Sequence, residues 1–482
     1  MMVQILKKNT ALLTISFLCS CAIQAQTSNG WTLQACVEQA LSKNITIQQQ
    51  QLSTKSIKAD FLQSKMAALP SINANATNNW QTGFAINPST NAAQKGISFR
   101  TNSFGVSGSM PLFNGFQTVN NMRLQQSNAR ASEKDLEQTK NTITLNVCNS
   151  YLRVLQSIEL KNAALARTVA TRAQVERQKK MYELGSSNKS KYLQLKAQLA
   201  SEELLYVNSD NTLMQAYLEL WLLIEIKPDT SYRVFMPDTQ DPLIEDEPRS
   251  IDVIFDEFSK RSPDVVAAEQ RKQSSHIQHQ VALGARSPRL TLSGNLSSFY
   301  TTQSTTGVGA VSYTQVPVGA GLYNGDVINV YTGIPTYSSY KTTSFGDQFD
   351  RNLGTSIGLN LSVPIFNGWN VNNNIQKSSI SQESSRLNEK LTRNNLYRSI
   401  AQSYVDFKSA YKKFDANKEN IDANKEAFDV ADKQFELGAM NMADYLNTKN
   451  SYIRAQADFT QAKYELLFRR KVLDFYLGKS LY

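Results

Sequence analysis

The chain has 482 residues, with 51 Lys and Arg against 41 Asp and Glu, a net charge of +10 and a mean hydropathy of −0.39. The basic excess is interspersed with acidic residues, as on solvated helix faces, rather than gathered into a stripe, which argues against a nucleic-acid partner. Past the first 25 residues no run approaches the roughly 20 apolar residues of a membrane-spanning helix. Any membrane entry must therefore be made by strands closed into a barrel, because lipid offers no partner to unpaired backbone groups.

Lys7 and Lys8 precede the apolar run ALLTISFLCSCAI and then QAQ, the layout of a secretory signal peptide over residues 1–25. Two processing points compete: cleavage after Ala25, or lipidation at Cys21, where Leu18-Cys19-Ser20-Cys21 resembles a lipoprotein box with an unusual Cys in second place. Cys36 and Cys148 fall in separate helical patterns and read as small buried residues rather than a disulfide.

The first repeat, 26–225, opens with a helix and continues with strands at about 70–82 and 102–112. There Ile72, Ala74 and Ala76, then Phe104, Val106, Met110 and Leu112, alternate with Ser, Asn and Thr. A long helical hairpin follows over about 116–225. Residues 226–250 carry Pro228, Pro237, Pro242 and Pro248 among acidic residues, which reads as an equatorial linker. The second repeat, 251–482, has the same order: helix, strands at about 289–300 and 352–364, and a hairpin over about 369–477. In its last strand Leu353, Ile357, Leu359, Leu361 and Val363 hold every second position where they occur. Such alternation gives each strand one apolar and one polar face. Segments 83–101 and 301–351, rich in Gly, Ser, Thr, Asn and Tyr, read as extracellular loops, the second about 35 residues longer.

The halves are copies. MPLFNGF at 110–116 and VPIFNGW at 363–369 are 253 residues apart, and the same offset carries Ser150-Tyr151 to Ser403-Tyr404 and Glu183-Leu184-Gly185 to Glu436-Leu437-Gly438. In each copy Pro111 or Pro364 is expected to end a strand, while Asn114-Gly115 or Asn367-Gly368 turns the chain into a helix. From Phe116 to Leu184 and from Trp369 to Leu437 there is neither Gly nor Pro. Beyond each, an apolar residue recurs every seven: Tyr192, Leu199, Tyr206, Leu213 and Leu220, and then Tyr445, Tyr452, Phe459, Leu466 and Leu473. That spacing predicts coiled-coil packing.

The duplicated FNG turn, together with FELGAMNMADYLNTKNSY at 435–452, resembles the TolC-like outer-membrane efflux proteins over essentially the whole mature chain. The resemblance implies a membrane α+β fold with an internal twofold repeat. Four strands per protomer would enter a homotrimeric, 12-stranded β-barrel, continued by an α-helical coiled-coil tunnel through the periplasm. Four strands are in any case too few to close a membrane barrel, so strands that span lipid require oligomerisation. The resemblance further implies an outer-membrane channel-tunnel of a tripartite efflux or type I secretion system, a passive exit duct served by a periplasmic adaptor and an inner-membrane pump. The adaptor-facing tips then match Gly185, Ser186, Ser187 and Asn188, and Gly438, Ala439, Met440 and Asn441. Asp444 matches an acidic position of the tip constriction, Asn447 stands where a second acidic residue is common, and Lys191 is the first-half counterpart of Asp444. Lys191 and Asp444 are expected to lie close together and weaken cation selectivity, the other reading being two solvated helix-start residues.

Signatures of nucleotide or hydrolytic chemistry are missing from the sequence: there is no GxxxxGK[ST], GxSxG or HExxH. His276 and His279 are the only His residues and have no Cys nearby, so they read as helix-surface residues rather than metal ligands. Neither an enzyme nor a cofactor is expected. A different class of function, a structural or adhesive coiled-coil spacer without transport, fits the same helices.

Overall fold

The two stretches lacking Gly and Pro become two continuous helices of 67 residues each, about 100 Å at 1.5 Å per residue. They are α3 (Gln117–Glu183) and α8 (Asn370–Glu436) in a computed structural model that describes residues 30–86, 93–229, 233–235 and 250–479. The expected signal peptide with Cys19 and Cys21, and Pro237, Pro242 and Pro248 of the linker, lie outside the described residues. In chain order the first half has α1 (Leu33–Lys43), α2 (Ile45–Met66), β1 (Ser71–Ile86), β2 (Ala93–Phe113), α3 and α4 (Lys189–Leu223). The second half has α5 (Ile251–Ser259), α6 (Pro263–Gly284), β3 (Arg289–Thr301), β4 (Thr305–Tyr323), β5 (Asp326–Thr342), α7 (Phe345–Arg351), β6 (Gly354–Ser362), α8 and α9 (Met442–Leu477).

The chain forms two compact units. One comprises Met1–Ile57, Asn128–Lys272 and Ser385–Tyr482 and is helical. The apolar positions spaced by seven supply its cores. Leu213 and Leu220 join Cys36, Val37, Val147, Tyr151 and Trp221, while Leu466 and Leu473 join Ile254, Phe258, Ile400 and Phe407. Burying such side chains contributes about 1.5–3 kcal/mol each. Cys36 and Cys148 are both buried and free. The start of the linker is tied back to this body. Trp31 N–H donates to the Arg233 carbonyl (2.7 Å), and the buried Tyr151 hydroxyl donates to the Phe235 carbonyl (2.7 Å).

The other unit, Lys58–Ser127 and Gln273–Ser384, is built on an antiparallel sheet in the order β1-β2-β3-β6. Its register stacks like with like. Ala76 pairs with Phe104, Ala74 with Val106, Val106 with Leu296, Leu292 with Leu359 and Leu290 with Leu361. The opposite face pairs Asn73 with Ser107, Ser107 with Asn295 and Asn295 with Ser356, and Ser71, Thr77, Ser293 and Asn360 lie on it too. One face is aliphatic and the other is a field of hydroxyls, amides and glycines from Ser71 to Gln81 and across to Ser362, with Arg289 as its one charged residue, beside Ser362 at the helix-proximal end, and Phe299 and Phe99 toward the opposite end. β1 and β6 are the outer strands, each paired on one side only.

Three expectations are corrected here. β1 runs on to Ile86 and β2 begins at Ala93, so most of segment 83–101 is strand rather than loop. Segment 301–351 holds the self-paired ribbon β4–β5 and the helix α7 instead of a loop. The ribbon turns at Asn324-Gly325, both left-handed (φ 53° and 92°), the pattern of a two-residue hairpin turn matched to strand twist. Pro111 does not end its strand. β2 continues to Phe113 through a register shift that absorbs the missing N–H, whereas β6 stops at Ser362 ahead of Pro364.

Candidate functional site

The helix-hairpin ends are set by two glycines. Gly185 (φ 71°) ends α3 with Gly185 N–H on the Tyr182 carbonyl (3.0 Å) and Ser186 N–H on Met181 (2.8 Å). Gly438 (φ 75°) ends α8 in the same way, on Phe435 (3.1 Å) and, through Ala439 N–H, on Gln434 (2.8 Å). This double closure satisfies carbonyls that a helix end leaves open. Asn188 then caps α4 by accepting from Ser190 N–H (2.9 Å), and Asn441 caps α9 by accepting from Asp444 N–H (2.9 Å). Ser186 Oγ donates to the Met181 carbonyl (2.8 Å), and Ser187 Oγ accepts from Gln178. Met440 packs half-buried beside Tyr445, and Ala439 is exposed.

Asp444 lies in the first turn of α9, exposed, with its carboxylate accepting from the Asn441 amide. Negative charge there is favoured by the helix dipole. Asn447 is exposed one turn on, and Lys191 is exposed in the first turn of α4. No ion pair joins Lys191 to Asp444 within the protomer. Both sit on helix starts, and Asp444 has a local partner of its own.

Behind these ends lies a core that ties the two hairpins together. Val175, Leu195, Met442 and Tyr445 are buried, and the Tyr445 ring stacks on Phe435 at 4.4 Å between centroids. The Gln174 amide donates to the Tyr445 hydroxyl (2.8 Å), which donates to Asp432 (3.1 Å). Burial holds that hydroxyl well above the usual tyrosine range. Deeper still, Lys449 Nζ meets Glu202 Oε1 at 3.0 Å, with side chains only 6 % and 4 % exposed. Thr171 sits between them: its Oγ1 accepts from Lys449 (2.5 Å) and donates to Glu202 Oε2 (2.5 Å), and Gln198 donates to Glu202 Oε1 (2.9 Å). This buried ion pair, hydrogen-bonded at both carboxylate oxygens and at the ammonium, ties α3, α4 and α9 together.

Sequence reading missed this group. Its signal was available: Glu202 is seven residues after buried Leu195, and Lys449 seven after buried Met442, so both charges stand in the apolar coiled-coil register. The internal repeat concealed it, because the counterpart of Glu202 is buried Ala455 and that of Lys449 is exposed Lys196.

At the strand-to-helix turns, Asn114 and Asn367 accept weakly from Thr118 N–H (3.3 Å) and Val371 N–H (3.5 Å). Gly115 (φ 66°) and Gly368 (φ 61°) are followed by Phe116 (φ 61°) and Trp369 (φ 67°), a consecutive left-handed pair in each copy. A Cβ on Gly115 would meet the Gly284 carbonyl oxygen at 2.3 Å, so glycine is required there by contact as well as by backbone angle. His276 and His279 turn their ring nitrogens to Gln280, Gln382 and Ser378.

The profile of the outer membrane efflux protein family matches residues 36–224 and 255–479. A search of curated proteins finds no match. Among solved structures, CusC is similar at 16 % identity and TM-score 0.73, covering 93 % of this chain and 92 % of that one. A membrane protein from Pseudomonas aeruginosa matches at 18 % identity and TM-score 0.73, covering 92 % and 93 %. The Campylobacter jejuni outer membrane channel CmeC matches at 17 % identity and TM-score 0.71, covering 92 % and 85 %. Two repeats with one plan, a sheet with an aliphatic and a hydroxyl-lined face, and two long helical hairpins agree with that profile along most of the sequence. The chain belongs to the outer membrane efflux protein family.

Proposed function

We propose that three copies assemble so that their β1-β2-β3-β6 sheets close one twelve-stranded barrel, while their helical hairpins line a periplasmic tunnel. The observation that carries this reading is the open sheet, with two free edges, an aliphatic face suited to lipid and a polar face, charged only at Arg289, suited to a water-filled lumen. The duct is passive. Solutes reach it from an inner-membrane pump through a periplasmic adaptor that meets the turns Gly185–Asn188 and Gly438–Asn441. The conduit itself needs no bound cofactor and performs no catalysis.

The polar face carries one charged residue per copy, Arg289 at its helix-proximal end, and a second site of charge selection lies at the hairpin ends, where three copies of Asp444 would form a ring beside Asn447 and Lys191. Purified protein in planar bilayers tests both parts. Steady conductance is expected, with a cation preference that Asp444→Asn lowers and Lys191→Gln raises. Absence of conductance refutes the duct, and an unchanged reversal potential in Asp444→Asn refutes the ring. Photocrosslinkers at Ser187 and Asn441 in living cells are expected to capture a periplasmic coiled-coil adaptor.

A further inference from the structure

The segment between the β4–β5 ribbon and β6 folds back onto the sheet as α7, and the face it chooses is the aliphatic one. Phe345 and Phe349, one turn apart, both meet Phe104 edge-on (5.8 Å between centroids in each case), and Phe345 also meets Tyr300 (5.5 Å). Polar contacts fix the seat. Ser298 Oγ donates to the Phe349 carbonyl (2.7 Å), and Asn352 Nδ2 donates to Phe299 (2.7 Å). Gln348 is 1 % exposed; its amide donates to the Thr301 and Thr343 carbonyls (2.9 Å each) and its oxygen accepts from Thr301 N–H (2.9 Å). Even so seated, Phe345 and Phe349 remain 48 % and 38 % exposed.

Their level on the sheet is informative. Phe104 is the last apolar residue of its row on β2. One step outward the same face carries Asn78 paired with Asn102, and the next carries Trp80 paired with Arg100, whose guanidinium donates to Asn78 (2.9 Å). This is the sequence of an acyl-chain zone giving way to headgroups, with aromatic rings at the boundary. Phe104, Ser298 and Tyr300 belong to β2 and β3, the inner strands of the sheet, so α7 does not sit at the edges where neighbouring copies would join.

The geometry points to α7 as an interfacial helix whose Phe345 and Phe349 rings rest in the lipid surface of the outer leaflet, at the acyl–headgroup boundary. The inference rests on the proposed reading of the aliphatic face as lipid-facing. Through Gln348 the helix also ties the membrane surface to Thr301 and Thr343, between which the β4–β5 ribbon leaves the sheet.

Spin labels test it, placed singly in a background with all four native cysteines replaced by alanine and reconstituted in phospholipid vesicles. Phe349→Cys reports α7, Asp347→Cys its opposite side, Ile357→Cys the aliphatic face of β6 and Ser356→Cys the polar face. Expected is preferential relaxation by dissolved oxygen at 357 and 349, deeper at 357, and by an aqueous nickel chelate at 347 and 356. Oxygen preference at 357 with nickel preference at 349 overturns the inference while leaving the barrel reading intact. Nickel preference at 357 overturns both.

Discussion

Lys449 and Glu202 hold one of the few ion pairs removed from water on both sides, so replacing one partner and not the other has a calculable effect. At 3.0 Å and an effective dielectric of ~20, the attraction is about 5 kcal/mol, a gross figure that the desolvation of both ions offsets. Lys449→Met keeps most of the stem's packing but leaves the Glu202 carboxylate with only the Thr171 and Gln198 donors, in a site 4 % exposed. The expected loss is about 3–5 kcal/mol. Glu202→Leu in the same chain removes the stranded charge and should return most of that loss, giving a coupling energy of several kcal/mol. Guanidinium denaturation in detergent, at one fixed protein concentration so that assembly does not shift the midpoint, measures all four corners of the cycle. A single substitution costing under about 1 kcal/mol, or a double whose losses simply add, would refute the buried pair as the element that holds the hairpins in register.

Gly438→Ala meets no atom within 4 Å and is expected to cost only the left-handed backbone penalty of about 1–2 kcal/mol, whereas Gly115→Ala also collides with the Gly284 carbonyl and should abolish folding, read as yield of heat-modifiable assembly. Gln348→Leu orphans the Thr343 carbonyl and the Thr301 N–H at the base of the β4–β5 ribbon, about 1–3 kcal/mol for each group, and leaves the Thr301 carbonyl with Ser304 N–H alone, so trypsin should cut at Lys341 roughly tenfold faster or more. Burial pushes the Cys36 thiol up to about 12 and Cys148 to about 11, the latter pulled back slightly by Lys471. Unfolded thiols ionise near 9.0 while the folded ones keep their protons, so stability is full below pH 9 and is lost as pH rises toward 11–12. Both thiols should resist iodoacetamide at pH 8 until the chain is denatured, as followed by mass spectrometry.

Much of the fold was legible because its signals are local. The Asn-Gly turns, the strand alternation of Leu359 and Leu361, and the heptad series down to Leu473 each state a backbone or a face within a dozen residues. The β4–β5 ribbon escaped because its Gly, Ser and Thr content reads as loop, although Asn324-Gly325 flanked by Val and Tyr is a strong hairpin signal. Pro111 misled because a ring without an N–H normally marks a strand end, and here a register shift accommodates it. At the hairpin ends the glycines and capping asparagines could be named from sequence. Of the Lys449–Glu202–Thr171 group only the two charges in the apolar heptad register were visible; that they meet each other and Thr171 is set by packing among three helices.

The ribbon also explains how one half of a duplicated chain could outgrow the other. Leu33 and Ile251, and Ser71 and Arg289, are 218 residues apart, but Gln117 and Asn370 are 253 apart, and the difference of 35 falls between β3 and β6. An odd number of residues added within a strand would turn every following side chain to the wrong face. Added as a ribbon that pairs with itself, the extra length is invisible to the sheet: Leu292 still meets Leu359 and Asn295 still meets Ser356. Parity is thereby uncoupled from length, and this outer segment is free to lengthen, shorten or change sequence among relatives without re-registering the wall beneath it.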